Sequence, residues 1–312
     1  MRFAPLAAAA LVAAAPFAVH AQTSLLQTVK NARLIDLSHT WDRNSPIAGV
    51  NPKYSFALSA THENTRCTFD DKCQLSFTSE VMEWSGQHGA PSIDAIGHIG
   101  RDGRLFGRVD AARSTEDPDG IGASGVGAHL AIDQFPQDLL VNRGVLLDVA
   151  TMVMGDARAL PADFEITAKH LKAAAEQQGV QLEPGDTVFI RTGWGPLFKS
   201  APGTEVGEYN GPFSPGPGLD AAEFLISKGA RVVGNDTLTF EKRPPIVLKP
   251  KFQVFPVHMR LIADKGIYII ENLDLEELAA AKAYEFVVVV PPLKVRGGTG
   301  SAVRVFALVQ RQ

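Results

Sequence analysis

The residues whose types could do chemistry are concentrated in residues 85–100, which read Ser-Gly-Gln-His-Gly-Ala-Pro-Ser-Ile-Asp-Ala-Ile-Gly-His-Ile-Gly. His88, Asp94 and His98 fall within a span of eleven residues there. Imidazole and carboxylate together are the usual ligands of a divalent metal, and an imidazole without a metal can act as general acid or base. The glycines and the proline predict a turn-rich loop on which these groups converge. The alternative is that Asp94 caps a turn and that both histidines are surface residues.

A second pair of candidate ligands lies later in the chain. His258 stands at the start of a predicted helix, and Glu271 ends the strand that follows, after the apolar run Ile-Tyr-Ile-Ile. A carboxylate at the end of a buried strand costs free energy unless it is paired or bound to a metal. The intervening residues form a compact helix–turn–strand, so the two side chains could meet in space. The alternative is that Glu271 forms a salt bridge or caps the next helix.

These segments resemble the signature of the cyclase family that includes kynurenine formamidase and isatin hydrolase, His-x-Gly-Thr-His-x-Asp-Ala-x-x-His. His88, Asp94 and His98 match its first histidine, its aspartate and its last histidine. The family's downstream Pro-x-His and Glu-x-Leu elements are matched at His258 and Glu271. Three further blocks match in the same order, at residues 144–148, 185–194 and 234–237. The resemblance therefore covers nearly the whole chain.

The resemblance implies an activity and a role for each residue. It implies a hydrolase of a small amide, formamide or lactam-like substrate that uses one or two divalent ions, zinc or manganese. The ligands that it assigns are His88, Asp94, His258 and Glu271. In such an enzyme the metal lowers the pKa of bound water and polarises the substrate carbonyl. His98 would take the proton from that water and return it to the leaving group.

The sequence departs from the signature at Ser92, where the family has a ligand histidine. A neutral hydroxyl is a poor ligand beside imidazole and carboxylate. We therefore expect one metal instead of two, weaker binding, or a water held at Ser92. The departure also leaves open a second function, a catalytically impaired periplasmic protein that binds a small molecule on the same fold. His98 argues against that function, because a binding protein does not need it.

Three residues are candidate substrate contacts. Trp41 follows a predicted strand and could stack on an aromatic substrate. Trp194 follows another strand and could border the pocket, although tryptophan more often packs inside a protein. Ser92 is the third, because its hydroxyl would replace an imidazole inside the predicted site.

The elements that must position these residues alternate between strands and helices. Strands are predicted at residues 33–38, 74–84, 144–149, 187–191, 231–234, 267–270, 286–290 and 303–309, and helices at 168–178, 219–228, 257–264 and 275–283. This order predicts an α/β fold with a mixed β-sheet and flanking helices, and the resemblance implies its swivelling β/β/α cyclase-like form. No low-complexity linker divides residues 22–312, so we expect a single domain. No glycine-rich phosphate loop follows a strand, so a nucleotide site is not expected.

The N-terminal composition predicts export. A positive start is followed by an Ala-rich apolar run and by small or permissive residues before Gln22, as in a secretory signal peptide of residues 1–21. The run is shorter than the ~20 residues that a bilayer span needs. We therefore expect a periplasmic or secreted protein, in which Cys67 and Cys73 form a disulfide. Their spacing disfavours the alternative of a zinc pair.

Composition limits the partners. The 312 residues are 45% hydrophobic and 21% charged with a net charge of −4, which is typical of a globular protein. The basic residues are scattered, so a nucleic-acid surface is not expected. We expect a small-molecule substrate and no membrane association after signal cleavage. The family resemblance implies a homodimer or a larger homo-oligomer.

Overall fold

Strands and short helices alternate through the part of the chain that the computed structural model describes, which is residues 24–40, 42–46, 51, 54–87, 89–115, 130–198, 208–249 and 252–311. The strands are β1 (Ala32–Asp36), β2 (Ser55–Ala60), β3 (Ser79–Glu83), β4 (Ser92–Asp94), β5 (Val141–Asp148), β6 (Glu165–Ile166), β7 (Thr187–Arg191), β8 (Gly216–Pro217), β9 (Val232–Asn235), β10 (Ile246–Val247), β11 (Gln253–Val254), β12 (Tyr268–Glu271), β13 (Glu285–Val289), β14 (Gly300–Ala302) and β15 (Phe306–Gln310). The helices are α1 (residues 24–31), α2 (Ala111–Thr115), α3 (Val149–Met154), α4 (Ala168–Gln178), α5 (Leu219–Ser227), α6 (Pro256–His258), which continues as the π-helical turn Met259–Ala263, and α7 (Glu276–Ala280). Short 3₁₀ turns occur at Phe106–Arg108, Ile132–Gln134, Gln137–Leu139, Gly195–Leu197 and Glu208–Asn210. The predicted signal peptide lies outside the described residues.

Nine of the strands form one mixed sheet in the order β1-β15-β13-β5-β7-β9-β12-β4-β14. The four central strands β5, β7, β9 and β12 are parallel, and the strands on both sides of them pair antiparallel. Parallel strands need cover on both faces, and all five residues of β7 are buried. The predicted α/β fold with a mixed sheet and flanking helices is therefore confirmed. No helix in the described ranges is both long and apolar enough to cross a membrane.

Two hydrophobic cores cover the two faces of this sheet. Successive side chains of a strand point to opposite faces, so Val188 and Ile190 of β7 pack with Leu171 of α4 and Leu225 of α5. Phe189 between them belongs to the core on the other face. This layering fixes the parallel strands, and with them the positions of the residues at their ends.

Local signals predicted several boundaries well. Helix α4 spans the predicted residues, and Gly179 ends it with a φ of 69°, a conformation that glycine adopts readily. The strand predicted over residues 74–84 is too long, because only Ser79–Glu83 forms β3. The hydroxyl of Thr65 donates to the carbonyl of Phe77 and accepts from its N–H, at 2.6 and 2.9 Å. These bonds hold the preceding residues in a loop.

The loop predicted over residues 85–100 contains a strand that the sequence did not reveal. Ser92–Asp94 forms β4, which lies between β12 and β14 in the main sheet. Three residues are too short to show a period of two, and Ile93 is the one of them that joins the hydrophobic core. The candidate ligand Asp94 is therefore held by the sheet itself.

Strands β2 and β3 form a separate two-stranded ribbon. Cys67 and Cys73 lie in the loop between these strands and form a disulfide, as predicted. The ribbon exposes large apolar side chains on both strands, among them Phe56, Leu58 and Met82. The ribbon is not part of the main sheet.

The carboxyl ends of the parallel strands carry polar side chains at one edge of the sheet. Asp148 ends β5, Arg191 ends β7, and Glu271 ends β12. Arg191 is 1% exposed and donates to Asp148 at 3.0 Å and to both carboxylate oxygens of Glu276 at 2.8 Å. Ligands of open α/β sheets bind outside this edge, which makes it the expected position of a functional site.

The buried ion pair of Arg191 gives a stability prediction. Arg191→Met should lower the free energy of unfolding by roughly 3–5 kcal/mol, because it leaves Asp148 buried without its cation. Denaturant-induced unfolding measures the change. Arg158→Met is the matched control, since the ion pair of Arg158 with Asp156 is exposed and should contribute little. Equal effects of the two substitutions would contradict this interpretation.

Candidate metal centre

The pairing of β4 with β12 brings two predicted ligands together. Glu271 lies opposite Ser92 in the antiparallel register, and Asp94 lies opposite Ile269. Residues two apart on a strand share a face, and directly opposed residues share it too. Ser92, Asp94 and Glu271 therefore point to the same side of the sheet. Two carboxylates meet there because of strand register and not because of loop geometry.

Helix α6 adds the imidazole of His258 on this side. The helix begins with Pro256, whose fixed φ suits the first helical position, and His258 is 4% exposed. Nε2 of His258 lies 3.2 Å from Oε1 of Glu271 and 3.8 Å from Oδ2 of Asp94. The three ligand atoms that these residues offer all lie within 4.8 Å of one another. The structure thus assembles three of the four predicted ligands.

The predictions for His88 and Trp41 fall outside the described residues. The backbone next to His88 is described, and the carbonyl of Gly89 accepts from the side-chain amide of Asn272 at 3.2 Å. Asn272 in turn accepts from the hydroxyl of Tyr209 at 2.8 Å. This segment is therefore tied to the residue that follows Glu271.

Sequence reasoning missed Glu241, a carboxylate that is 2% exposed. Its Oε1 lies 2.6 Å from Nδ1 of His258 and accepts from the backbone N–H of His258 at 3.0 Å. Its Oε2 accepts from the backbone N–H of Val257 at 3.3 Å. Glu241 begins the polar sequence Glu-Lys-Arg. This sequence shows neither a helical nor a strand period and belongs to no recognised motif, so it gave no signal of a functional residue.

The cluster buries more negative than positive charge. Burial raises the pKa of Glu271 to about 7, since it outweighs the lowering by the hydrogen bond to His258, and the nearby charges of Asp94 and Glu241 raise this pKa as well. Burial would lower the pKa of His258, but its hydrogen bonds to Glu241 and Glu271 raise it well above the ordinary value. Three carboxylates and one imidazole therefore require added positive charge, as a proton or a cation.

The chemistry of the donors fits a divalent cation. Asp94 and Glu271 offer carboxylate oxygens, and His258 offers an imidazole nitrogen. This combination is the usual ligand set of zinc, and imidazole and carboxylate also bind manganese. The hydrogen bond from the other ring nitrogen of His258 to a carboxylate is typical of metal-binding histidines. The residues that the structure describes are thus suited to hold such an ion.

His98 lies beside this cluster and is partly open to solvent. Its Nε2 is 3.9 Å from Oδ1 of Asp94, and 29% of the side chain is exposed. It is too far from Asp94 for a hydrogen bond. An imidazole in this position can reach both solvent and the cluster, and its part in proton transfer stays a prediction.

Ser92 is inside the site, and its hydroxyl makes no hydrogen bond to any residue that the structure describes. Its side chain is 1% exposed, and its Oγ is a buried oxygen without a hydrogen-bond partner among the described residues. Buried polar atoms are almost always satisfied, so such an atom needs an explanation. Its shared face with Asp94 and Glu271 places it where the sequence predicts a water or a substrate group.

Trp194 is held in an aromatic cluster. The residue is 1% exposed, and its indole N–H donates to the carbonyl of Leu160 at 3.0 Å. It packs with Phe198 and Tyr209. The predicted contact of Trp194 with a substrate stays a prediction, and in the structure the indole serves packing.

Two other polar residues contact this aromatic cluster or the loop that carries it. Asp236 accepts hydrogen bonds from the backbone N–H groups of Thr192, Gly193 and Trp194 and from the hydroxyl of Thr192, although burial raises its pKa to about 6. His39 stacks on Phe198 with ring centroids 4.4 Å apart, and burial lowers its pKa. Their side chains fix the loop that carries the aromatic cluster.

Comparison with known proteins agrees with this architecture. The model of the family named Cyclase matches residues 35–242, a range that contains Asp94 and His98 and ends before His258 and Glu271. Isatin hydrolase of Roseibium aggregatum is 30% identical over 185 residues, which cover 57% of this chain and 65% of that relative's length.

Solved structures share the fold. A crystal structure of a novel cyclase has a TM-score of 0.76 at 24% identity and covers 92% of each chain. Isatin hydrolase A from Labrenzia aggregata, bound to benzyl benzoate, has a TM-score of 0.66 at 22% identity over 94% of this chain and 100% of that one. The family model, which spans most of the chain, shows what the sequence motifs predicted: this protein belongs to the cyclase family.

Proposed function

We propose that this protein is a metal-dependent hydrolase that cleaves a C–N bond in a small amide, formamide or lactam-like substrate. The observation that carries the proposal is the convergence of Asp94, His258 and Glu271 at a buried point of the sheet. Burying two carboxylates beside one imidazole costs folding free energy unless a cation or a proton compensates the charge. Membership of the cyclase family and the similarity to isatin hydrolase support a hydrolytic reaction.

Each residue has a task in this reaction. A divalent cation, when bound, supplies Lewis acidity toward water and toward a carbonyl group. Asp94, His258 and Glu271 would hold it, and the main-chain pairing of β4 with β12 keeps the two carboxylates at a fixed separation. His98, beside Asp94 and partly exposed, would accept a proton from water and return it to the leaving nitrogen.

The proposed substrate class rests on the relative and on an aromatic pair close to the residues that follow β12. Isatin, the substrate in the name of that relative, is a cyclic amide fused to an aromatic ring. In this chain Phe198 and His39 form a stacked pair, and His39 lies 3.7 Å from Asp274, three residues after Glu271. Flat aromatic side chains favour stacking with a flat ring, so an aromatic lactam or formamide is the substrate class that we favour.

The alternative function is a catalytically impaired small-molecule binding protein of the periplasm. It is favoured by Ser92, whose neutral hydroxyl stands where the family signature has a histidine. Such a protein would bind aromatic amides without turning them over. The hydrolysis experiment that follows separates the two functions.

We also propose that the protein is exported and forms a homo-oligomer. The disulfide Cys67–Cys73 supports export, because such bonds persist in oxidising compartments. The exposed ribbon of β2 and β3 supports self-association, since an isolated two-stranded hairpin is only marginally stable in water. Cell fractionation and sedimentation of the mature protein test these two points, and a cytoplasmic monomer would contradict both.

The proposed reaction predicts hydrolysis that depends on metal and on Asp94. Zinc- or manganese-loaded protein should open isatin or cleave an aromatic formamide, and chelation should abolish the rate. Asp94→Asn should lower kcat/KM by about a thousandfold or more, because several kcal/mol of electrostatic stabilisation are lost. Spectrophotometry of ring opening measures the rate.

The matched control is Asp163→Asn, which changes an exposed aspartate. It should behave as the wild type. Binding of these compounds by the loaded protein without turnover would reject the hydrolase and support the binding protein.

The proton-transfer role predicts a separate effect for His98. His98→Gln should lower kcat by roughly 10²–10⁴-fold, the usual contribution of a general acid or base, while bound metal stays at the wild-type level. His62→Gln, at an exposed histidine, is the control. Loss of metal along with activity would make His98 a ligand, and an unchanged kcat would remove it from the mechanism.

A further inference from the structure

Glu241 contacts the ring nitrogen of His258 that faces away from Asp94 and Glu271. Nδ1 of His258 contacts Glu241 at 2.6 Å, whereas Nε2 faces Glu271 and Asp94 at 3.2 and 3.8 Å. The imidazole is thus held from both ends, in a pocket where it is 4% exposed. Such a ring has little freedom to turn.

The hydrogen bonds of Glu241 decide which ring nitrogen carries the proton. The backbone N–H groups of Val257 and His258 donate to this carboxylate. An ionised carboxylate can only accept hydrogen bonds, and the contact of Glu241 with Nδ1 at 2.6 Å is shorter than the contact of Glu271 with Nε2 at 3.2 Å. The shorter hydrogen bond therefore favours a proton on Nδ1 in the neutral ring. The neutral form of His258 then carries its lone pair on Nε2, which points toward Asp94 and Glu271.

We infer that Glu241 is a positioning residue that fixes the tautomer and orientation of His258 for binding a divalent cation. The inference rests on the proposed metal centre. Carboxylates that accept from the second nitrogen of a ligand histidine commonly change metal affinity by 10–100-fold when they are removed. Glu241 therefore contributes to metal binding by positioning His258, although it offers no ligand atom to the cation.

A purely structural role must be separated from this one. Glu241 also accepts from N–H groups at the start of α6, so it acts as a cap for the helix that carries His258. Removal of a cap lowers stability, and a loosened helix could weaken metal binding indirectly. The test therefore needs a conservative variant and a readout from the imidazole itself.

The first measurement is the zinc dissociation constant, obtained by competition with a chromophoric chelator. Glu241→Ala should raise it by about 10–100-fold, and Glu241→Gln, which keeps an acceptor oxygen without the charge, should raise it less. Glu165→Gln is the matched control, because Glu165 lines the same cavity of about 130 Å³ as Glu241 and is exposed. It should bind zinc as the wild type does. The free energy of unfolding of the metal-free variants measures how much Glu241, as the cap of α6, contributes to stability.

The second measurement is the ¹⁵N spectrum of the His258 ring in metal-free protein at alkaline pH, assigned by its absence in His258→Gln. Nδ1 should be protonated in the wild type, and this preference should weaken in Glu241→Ala. A proton on Nε2 in the wild type would overturn the inference, as would an unchanged zinc constant in a folded Glu241→Ala variant. A wild type that binds no zinc would instead reject the metal centre, while the spectrum would still test Glu241.

Discussion

The burial of three carboxylates around a single imidazole is the constraint on which the rest of the site depends. Asp94, Glu241 and Glu271 converge on His258 in a region with almost no access to water. Like charges at this proximity repel, and burial generally disfavours the ionised form of a carboxylate. The raised pKa of Glu271 is the direct consequence. A fold that keeps such a cluster needs a counter-charge, and the ligand atoms are arranged to receive one.

Other buried charges in the chain are compensated by the protein itself. Arg191 neutralises Asp148 and contacts Glu276, and Asp236 is satisfied by three backbone N–H groups and a hydroxyl. Both arrangements lie at the carboxyl ends of the parallel strands, near the same edge of the sheet as Glu271. The cluster around His258 differs from them, because three carboxylates face a single imidazole there. This difference separates a candidate functional centre from structural ion pairs of similar burial.

The fold and most of the site could be predicted from the sequence because their signals are local. The capped helix α4 and the apolar run of β7 show clear periods and boundaries. Asp94, His258 and Glu271 were predicted together from the resemblance to the cyclase signature, and a compact helix–turn–strand was expected to bring His258 and Glu271 together.

The parts that were missed depend on contacts between distant segments. Strand β4 has three residues and exists because β12 and β14 pair with it, which no local pattern reveals. Glu241 is 17 residues from His258 in the sequence and has no motif of its own. His39 and Phe198 stack across the fold. Each of these interactions is set by tertiary packing, so a single sequence carries little trace of it.

The central claim is that the buried cluster holds a divalent cation, and metal content tests it most directly. Elemental analysis of the purified mature protein should find about one zinc or manganese per chain. His258→Gln and Glu271→Gln should each lose that ion, because each removes one of the three converging ligands. A wild-type protein that stays free of both metals after incubation with either one would contradict the account, as would variants that retain a full complement.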